Sequence, residues 1–241
     1  MSKLIRTSFK VIRKKYAKIK KGTVRLTQSS LLLEVAIDAK KDTYIFPVLT
    51  TDGGSNVGNS PFPEEIRLNQ NDEFVAYEVG YYLVADKLVT TTTPVQDLVD
   101  AGRMFLSYAP DELDAVFASL EDAWLGTMQI LVNKISRLEK WDLKKHNAIP
   151  RTQFQNTSAG IPQATQPSID YSDFGTYPMQ PMLTLSGAKK NDIQVALVHS
   201  IPAGLSSIWT PASNGTVKYT VSKIALVFRG MLAQNASSFQ K

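Results

Sequence analysis

Ile5, Phe9, Ile12, Tyr16 and Ile19 recur at spacings of four, three, four and three residues, which places them on one stripe of a helix. Lys10, Arg13, Lys14, Lys18 and Lys21 fall away from that stripe, and Gly22 follows as a stop. Beyond Gly22 the period changes from helical to alternating. Leu31–Ile37 and Thr43–Leu49 read as strands on either side of a Lys40–Lys41–Asp42 turn. Residues Thr50–Pro63 form a long loop of almost no charge, and Glu65–Leu68 starts another strand. Glu73–Val84 is the clearest strand, with Val75, Tyr77, Val79, Tyr81 and Leu83 on one face and Phe74, Ala76, Glu78, Gly80 and Tyr82 on the other. Both faces are largely apolar, which predicts a sheet covered on both sides.

One helix is predicted among the strands. Pro110-Asp111-Glu112 places a proline and two acids in a first turn, Leu113 to Trp124 supply a stripe, and Gly126 ends it. Met128–Val132 follows as a strand. Residues 154–180 are rich in Gln, Ser, Thr, Pro and Tyr with only Asp170 and Asp173 charged, the composition of an interdomain connection or a contact surface. Met182–Leu185, Ile193–Val198 and Val217–Leu232 return to strand. In the last of these the apolar phase slips from odd positions (Val217, Tyr219, Val221) to even ones (Ile224, Leu226, Phe228), so a β-bulge is expected near Ser222–Lys223. Asn71 and Asn191 each open an Asn-Asp-x-x-Val-Ala segment leading into a strand, 120 residues apart. An Asn-Asp turn before a strand is common, but the half-length offset raises duplication of one β-domain.

Charge sharpens the picture of the first segment. Nine of the 27 Lys and Arg lie within residues 3–21: Lys3, Arg6, Lys10, Arg13, Lys14, Lys15, Lys18, Lys20 and Lys21. Without them 18 basic residues face 22 acidic ones, and the formal charge moves from +5 to −4. Such an arm is built to meet something anionic, nucleic acid or lipid headgroups. A bare nucleic-acid-binding tail has no use for the apolar stripe. A basic amphipathic helix lying on a membrane uses it, as does one docked on its own protein with cations outward or packed there with no ligand. Its lysine bias argues against a transit peptide, and its interspersed cations against a secretory signal. Hydrophobic content of 43% with 20% charged residues describes an ordinary folded chain. The absence of Cys excludes disulfides and thiolate metal sites, and no apolar run reaches the roughly 18 residues of a membrane span.

Candidate catalytic chemistry is sparse. His146 and His199 stand 53 residues apart without a His-x-His pattern; His146 is expected at the surface and His199 bonded to backbone. Glu64–Glu65 and Glu121–Asp122 diverge on a strand or a helix and make poor acid/base pairs. There is no glycine-rich phosphate loop, no Gly-x-Ser-x-Gly and no His-Glu-x-x-His. The expectation is a protein that is not an enzyme and uses no cofactor.

A β body with a possible duplication, inserted helices, uncharged loops and a basic N-terminal arm resembles the double jelly-roll major capsid proteins of tailless, membrane-containing icosahedral bacteriophages. The closing strand Lys223-Ile224-Ala225-Leu226-Val227-Phe228-Arg229-Gly230-Met231 and the helix-Gly-strand unit Asp111–Val132 are similar to such chains. The resemblance implies a mainly β fold of two tandem jelly rolls, with an arm at 1–22, a first domain at 23–142 and a second at 143–241. It implies a self-assembling capsid protein in the virion, a trimer tiling a lattice with other virion proteins. The nine arm cations would then face an internal lipid membrane or the genome. Tyr171, Phe174 and Tyr177, in a segment with few charges to desolvate, are the expected subunit contacts. Two alternatives remain: a β-sandwich binding module such as a receptor- or carbohydrate-binding spike, with Tyr81–Tyr82, Tyr171 and Tyr177 as candidate platforms, or a cupin-like enzyme needing His146 and His199 to converge.

Overall fold

The computed structural model describes residues 3–17, 24–48, 68–88, 103–107, 121–147, 154–156, 162–164, 175–201 and 218–236. They form a mainly β protein of two antiparallel sheets with one α-helix. The helix is α1 (Lys3–Ala17). The strands are β1 (Arg25–Ala36), β2 (Thr43–Pro47), β3 (Glu73–Leu88), β4 (Arg103–Leu106), β5 (Gly126–Val132) and β6 (Ile135–Asp142), then β7 (Phe154–Asn156), β8 (Pro162–Ala164), β9 (Thr176–Ser186), β10 (Asn191–Leu197) and β11 (Lys218–Gln234). In the first sheet β1, β11 and β3 lie side by side, and the far edge of β3 is shared by β9 and β4. The second sheet runs β2-β10-β5-β6, and β7 pairs with β8 apart from both. The pairing is nested: β1 with β11, β2 with β10, β3 with β9, β5 with β6.

This pairing corrects the expected tandem domains. A boundary at 142/143 would separate β1 from β11, β3 from β9 and β10 from both its partners, all of which are hydrogen-bonded across it. The two Asn-Asp segments do different work instead. Asp72 accepts the backbone N–H of Asn235 at 2.9 Å, whereas the Asn191 amide donates to the carbonyls of Ser186 and Lys189 at 2.8 and 2.9 Å. The strands they open lie in different sheets with different neighbours. Alternation reports that a strand is half-buried and carries no information about its partner.

The core lies between the sheets, where Leu33, Phe46, Tyr81, Trp124, Ile130 and Phe228 are fully buried. The expected bulge in β11 is present: Val221 faces Ala85 and Lys223 faces Val84, leaving Ser222 to accept the Ile37 N–H at 2.9 Å. A second bulge, in β3, was not foreseen. Arg229 faces Glu78 and Gly230 faces Ala76, so Tyr77 has no opposite residue. The inward phase therefore shifts from Phe74 and Ala76 to Val79, Tyr81 and Leu83, leaving Val75 and Tyr77 on the outer face. Because both faces are apolar, the pattern alone could not reveal the slip. Gly230 sits beside this bulge because a Cβ there would fall on the Val75 carbonyl oxygen.

Elsewhere, β6 was missed because its apolar residues do not alternate, although Asn133 and Lys134 both adopt the positive φ (51° and 63°) of a tight hairpin turn. Of the expected helix after Pro110, the described part is a 3-10 turn at Glu121–Trp124; residues 111–120 lie outside the described residues, as does most of the expected strand Glu65–Leu68.

Candidate functional site

The described part of the apolar stripe, Phe9, Ile12 and Tyr16, packs on the protein itself. Ile12 and Tyr16 are 1% and 4% exposed and pack with Val75, Tyr77, Met231 and Ala233 on the outer face of the first sheet. Phe9 meets Tyr77 edge-on, with ring centroids 5.7 Å apart. Each fully buried apolar side chain contributes on the order of 1.5–3 kcal/mol, so the helix is anchored chiefly by this seam. A polar clamp fixes its register. The Tyr16 hydroxyl donates to Glu73 Oε2 at 2.6 Å, and Lys15 Nζ lies 3.6 Å from the same oxygen. Burial, with Glu73 alongside, pushes the Tyr16 hydroxyl pKa far up, so it remains a donor. Glu73 opens a strand whose next four residues, Phe74 to Tyr77, carry no charge, and that acid was the available signal for the clamp.

With the stripe turned inward, Lys10, Arg13 and Lys14 are exposed at spacings of three and one, on one surface of the helix. Lys15 is 43% exposed beside its clamp. Lys3 and Arg6 belong to α1; Lys18, Lys20 and Lys21 lie outside the described residues. No carboxylate of the described residues pairs with Lys10, Arg13 or Lys14. The result is a strip of cations on a helix whose buried residues Ile12 and Tyr16 hold it to the sheet, while Val11 stays 51% exposed.

The expected contact residues fare differently. Tyr171 and Phe174 lie outside the described residues. Tyr177 is half-buried, with His146 edge-on to its ring at 5.2 Å, so part of it serves packing within the chain. Tyr81 is fully buried and donates its hydroxyl to the Ala123 carbonyl at 2.7 Å, which removes it as a ligand platform. Tyr82 is half-buried against Phe105.

The expected places of the two histidines are reversed. His199 is exposed in a bend after β10. His146 is fully buried: its Nε2 accepts the Trp141 indole N–H at 2.9 Å, which leaves Nδ1–H to donate to the Gly175 carbonyl at 2.8 Å. With both nitrogens engaged it has no lone pair for a metal, so the two histidines do not form a cupin-like centre. Trp141 is five residues away, but Gly175 and Tyr177 come from a later segment, which no local pattern announces.

Burial, helped by Lys145, lowers the His146 pKa; the Gly175 carbonyl and Asp142 oppose this. The unfolded chain then holds more protons than the folded one between the depressed value and the ordinary 6.5. Stability is full above that window and falls as pH drops through it. Urea midpoints measured from pH 7.5 to 5 should decline below about 6.5, and His146→Gln should flatten the decline.

Comparison with known proteins gives no relative: no family model, curated protein or solved structure matches the chain.

Proposed function

We propose that this chain is a viral shell subunit whose sandwich is a single jelly roll and whose helix α1 turns its cations toward the packaged genome. The nested pairing carries the reading. Leaving aside the short strands β4, β7 and β8, eight strands remain, and the first pairs with the eighth, the second with the seventh, the third with the sixth and the fourth with the fifth. Such nesting supports a reading as one long hairpin wrapped into two four-stranded sheets, as in a jelly roll, an architecture common in viral capsids and lectins. A lectin-like binding module lacks the support of an exposed aromatic platform at Tyr81. A pseudo-sixfold trimeric tile needs two rolls per chain, so the proposal is a closed homo-oligomeric assembly in the virion.

The arm's partner follows from its packing. Interfacial membrane helices bury their apolar face among lipid chains, and here Phe9, Ile12 and Tyr16 of that face pack with Val75, Tyr77 and Met231. Lys10, Arg13 and Lys14 remain for phosphate contacts that read charge and not sequence. Light scattering is expected to show multimers that grow with concentration; a strict monomer at every salt and concentration would bring the binding module forward.

A further inference from the structure

A second feature lies where the two sheets end. Among the described residues, β9 and β6 are edge strands of the first and second sheets. Between Pro178 and Leu183 the chain of β9 leaves β3, since Glu78 faces Pro178 and the next pair is Ala76 with Leu183. This departure opens a cleft of about 370 Å³ beside β6. Its apolar lining includes Val132, Met179 and Leu183, which are buried, and Leu138, Met182 and Pro181, which are partly or fully exposed. Three cations, Lys15, Arg137 and Lys189, line the same cleft, with Glu73 the only acid among the described residues that line it.

The charges do not cancel. Glu73 is committed to Tyr16 and Lys15 inside the clamp. Arg137 and Lys189 are exposed, and among the described residues neither side chain has a carboxylate partner. Two uncompensated cations beside an apolar floor suit a ligand that brings a negative charge and an apolar body together. A small hydrated anion would leave the floor unused, and a neutral apolar molecule would leave the cations unpaired. The volume is at the lower end of ligand pockets, which favours a compact molecule.

We infer that the cleft between β6 and β9 binds an amphipathic anion, a carboxylate or phosphate ester with a short alkyl chain. Arg137 and Lys189 would hold its head and Met179, Leu183 and Leu138 would receive its chain. Titration calorimetry on the full chain, using octanoate, octyl phosphate, octanol and inorganic phosphate, tests this. Saturable binding of one octanoate or octyl phosphate per chain is expected, with octanol and inorganic phosphate weaker by about tenfold or more. Preference for octyl phosphate would indicate a lipid headgroup as the source, and preference for octanoate a free fatty acid. The double variant Arg137→Gln/Lys189→Gln should lose about tenfold or more while keeping its melting temperature, because both side chains are exposed. Lys40→Gln/Lys41→Gln, also exposed but away from the cleft, should bind like the wild type. No saturable binding of either amphipathic anion, unchanged binding by the Arg137/Lys189 variant, or equal loss in the Lys40/Lys41 control would overturn the inference.

Discussion

Replacing Phe228 with alanine is expected to lower the unfolding free energy by about 3–5 kcal/mol, the range for emptying a buried aromatic site. Phe228 is fully buried on β11, opposite Leu31 of β1 and Val79 of β3. The cavity would therefore open where the first and last strands of the sandwich meet. A loss of that size is a large part of the roughly 5–15 kcal/mol available to an ordinary domain, so much of the soluble protein should disappear at growth temperature. Phe105, which is 43% exposed on β4, gives the contrast: its alanine variant should change stability by less than about 1 kcal/mol. Urea unfolding of both variants checks the pair. Similar costs would mean that the core is not centred between these sheets.

Neutralising the cation strip is expected to leave the fold alone and weaken nucleic-acid binding. In the Lys10→Gln/Arg13→Gln/Lys14→Gln variant the buried residues Ile12 and Tyr16 keep their seam, so the melting temperature should stay close to wild type. Each phosphate contact contributes roughly 0.7 to 0.9 to the slope of log K against log salt. Losing three should reduce that slope by about two to three, for any sequence offered. Deleting residues 1–22 is a poorer test, because it also uncovers Val75, Tyr77 and Met231 and invites aggregation. Should the triple variant keep the full slope, the cations of α1 would not be the contact.

Much of the strand content could be read from the chain because it is encoded locally. The β11 bulge is an example, since the odd-to-even slip of apolar positions is visible within a dozen residues. The β3 bulge is not, because Val75 and Tyr77 meet a helix while Phe74 and Ala76 meet the core, and both faces read alike. Partner choice was equally hidden. Nothing near Leu31 says that it pairs with Phe228, and the two Asn-Asp turns invited a symmetry that the strand pairing does not follow. For the arm, spacing alone foretold that Phe9, Ile12 and Tyr16 share a stripe and that Lys10, Arg13 and Lys14 fall outside it. What covers the stripe depends on Glu73, Val75 and Met231, which are far away in sequence. His146 shows the same limit, since its burial depends on Tyr81, Gly175 and Tyr177 arriving from other strands and turns.

Assembly with nucleic acid is the decisive property of a shell subunit. Negative-stain microscopy of the purified full chain, alone and mixed with single-stranded nucleic acid at low salt, measures it directly. The account predicts closed particles of uniform diameter, with the yield raised by nucleic acid and reduced in the Lys10/Arg13/Lys14 variant. A field of separate small particles under every condition, from protein that light scattering shows to be monomeric, would contradict it.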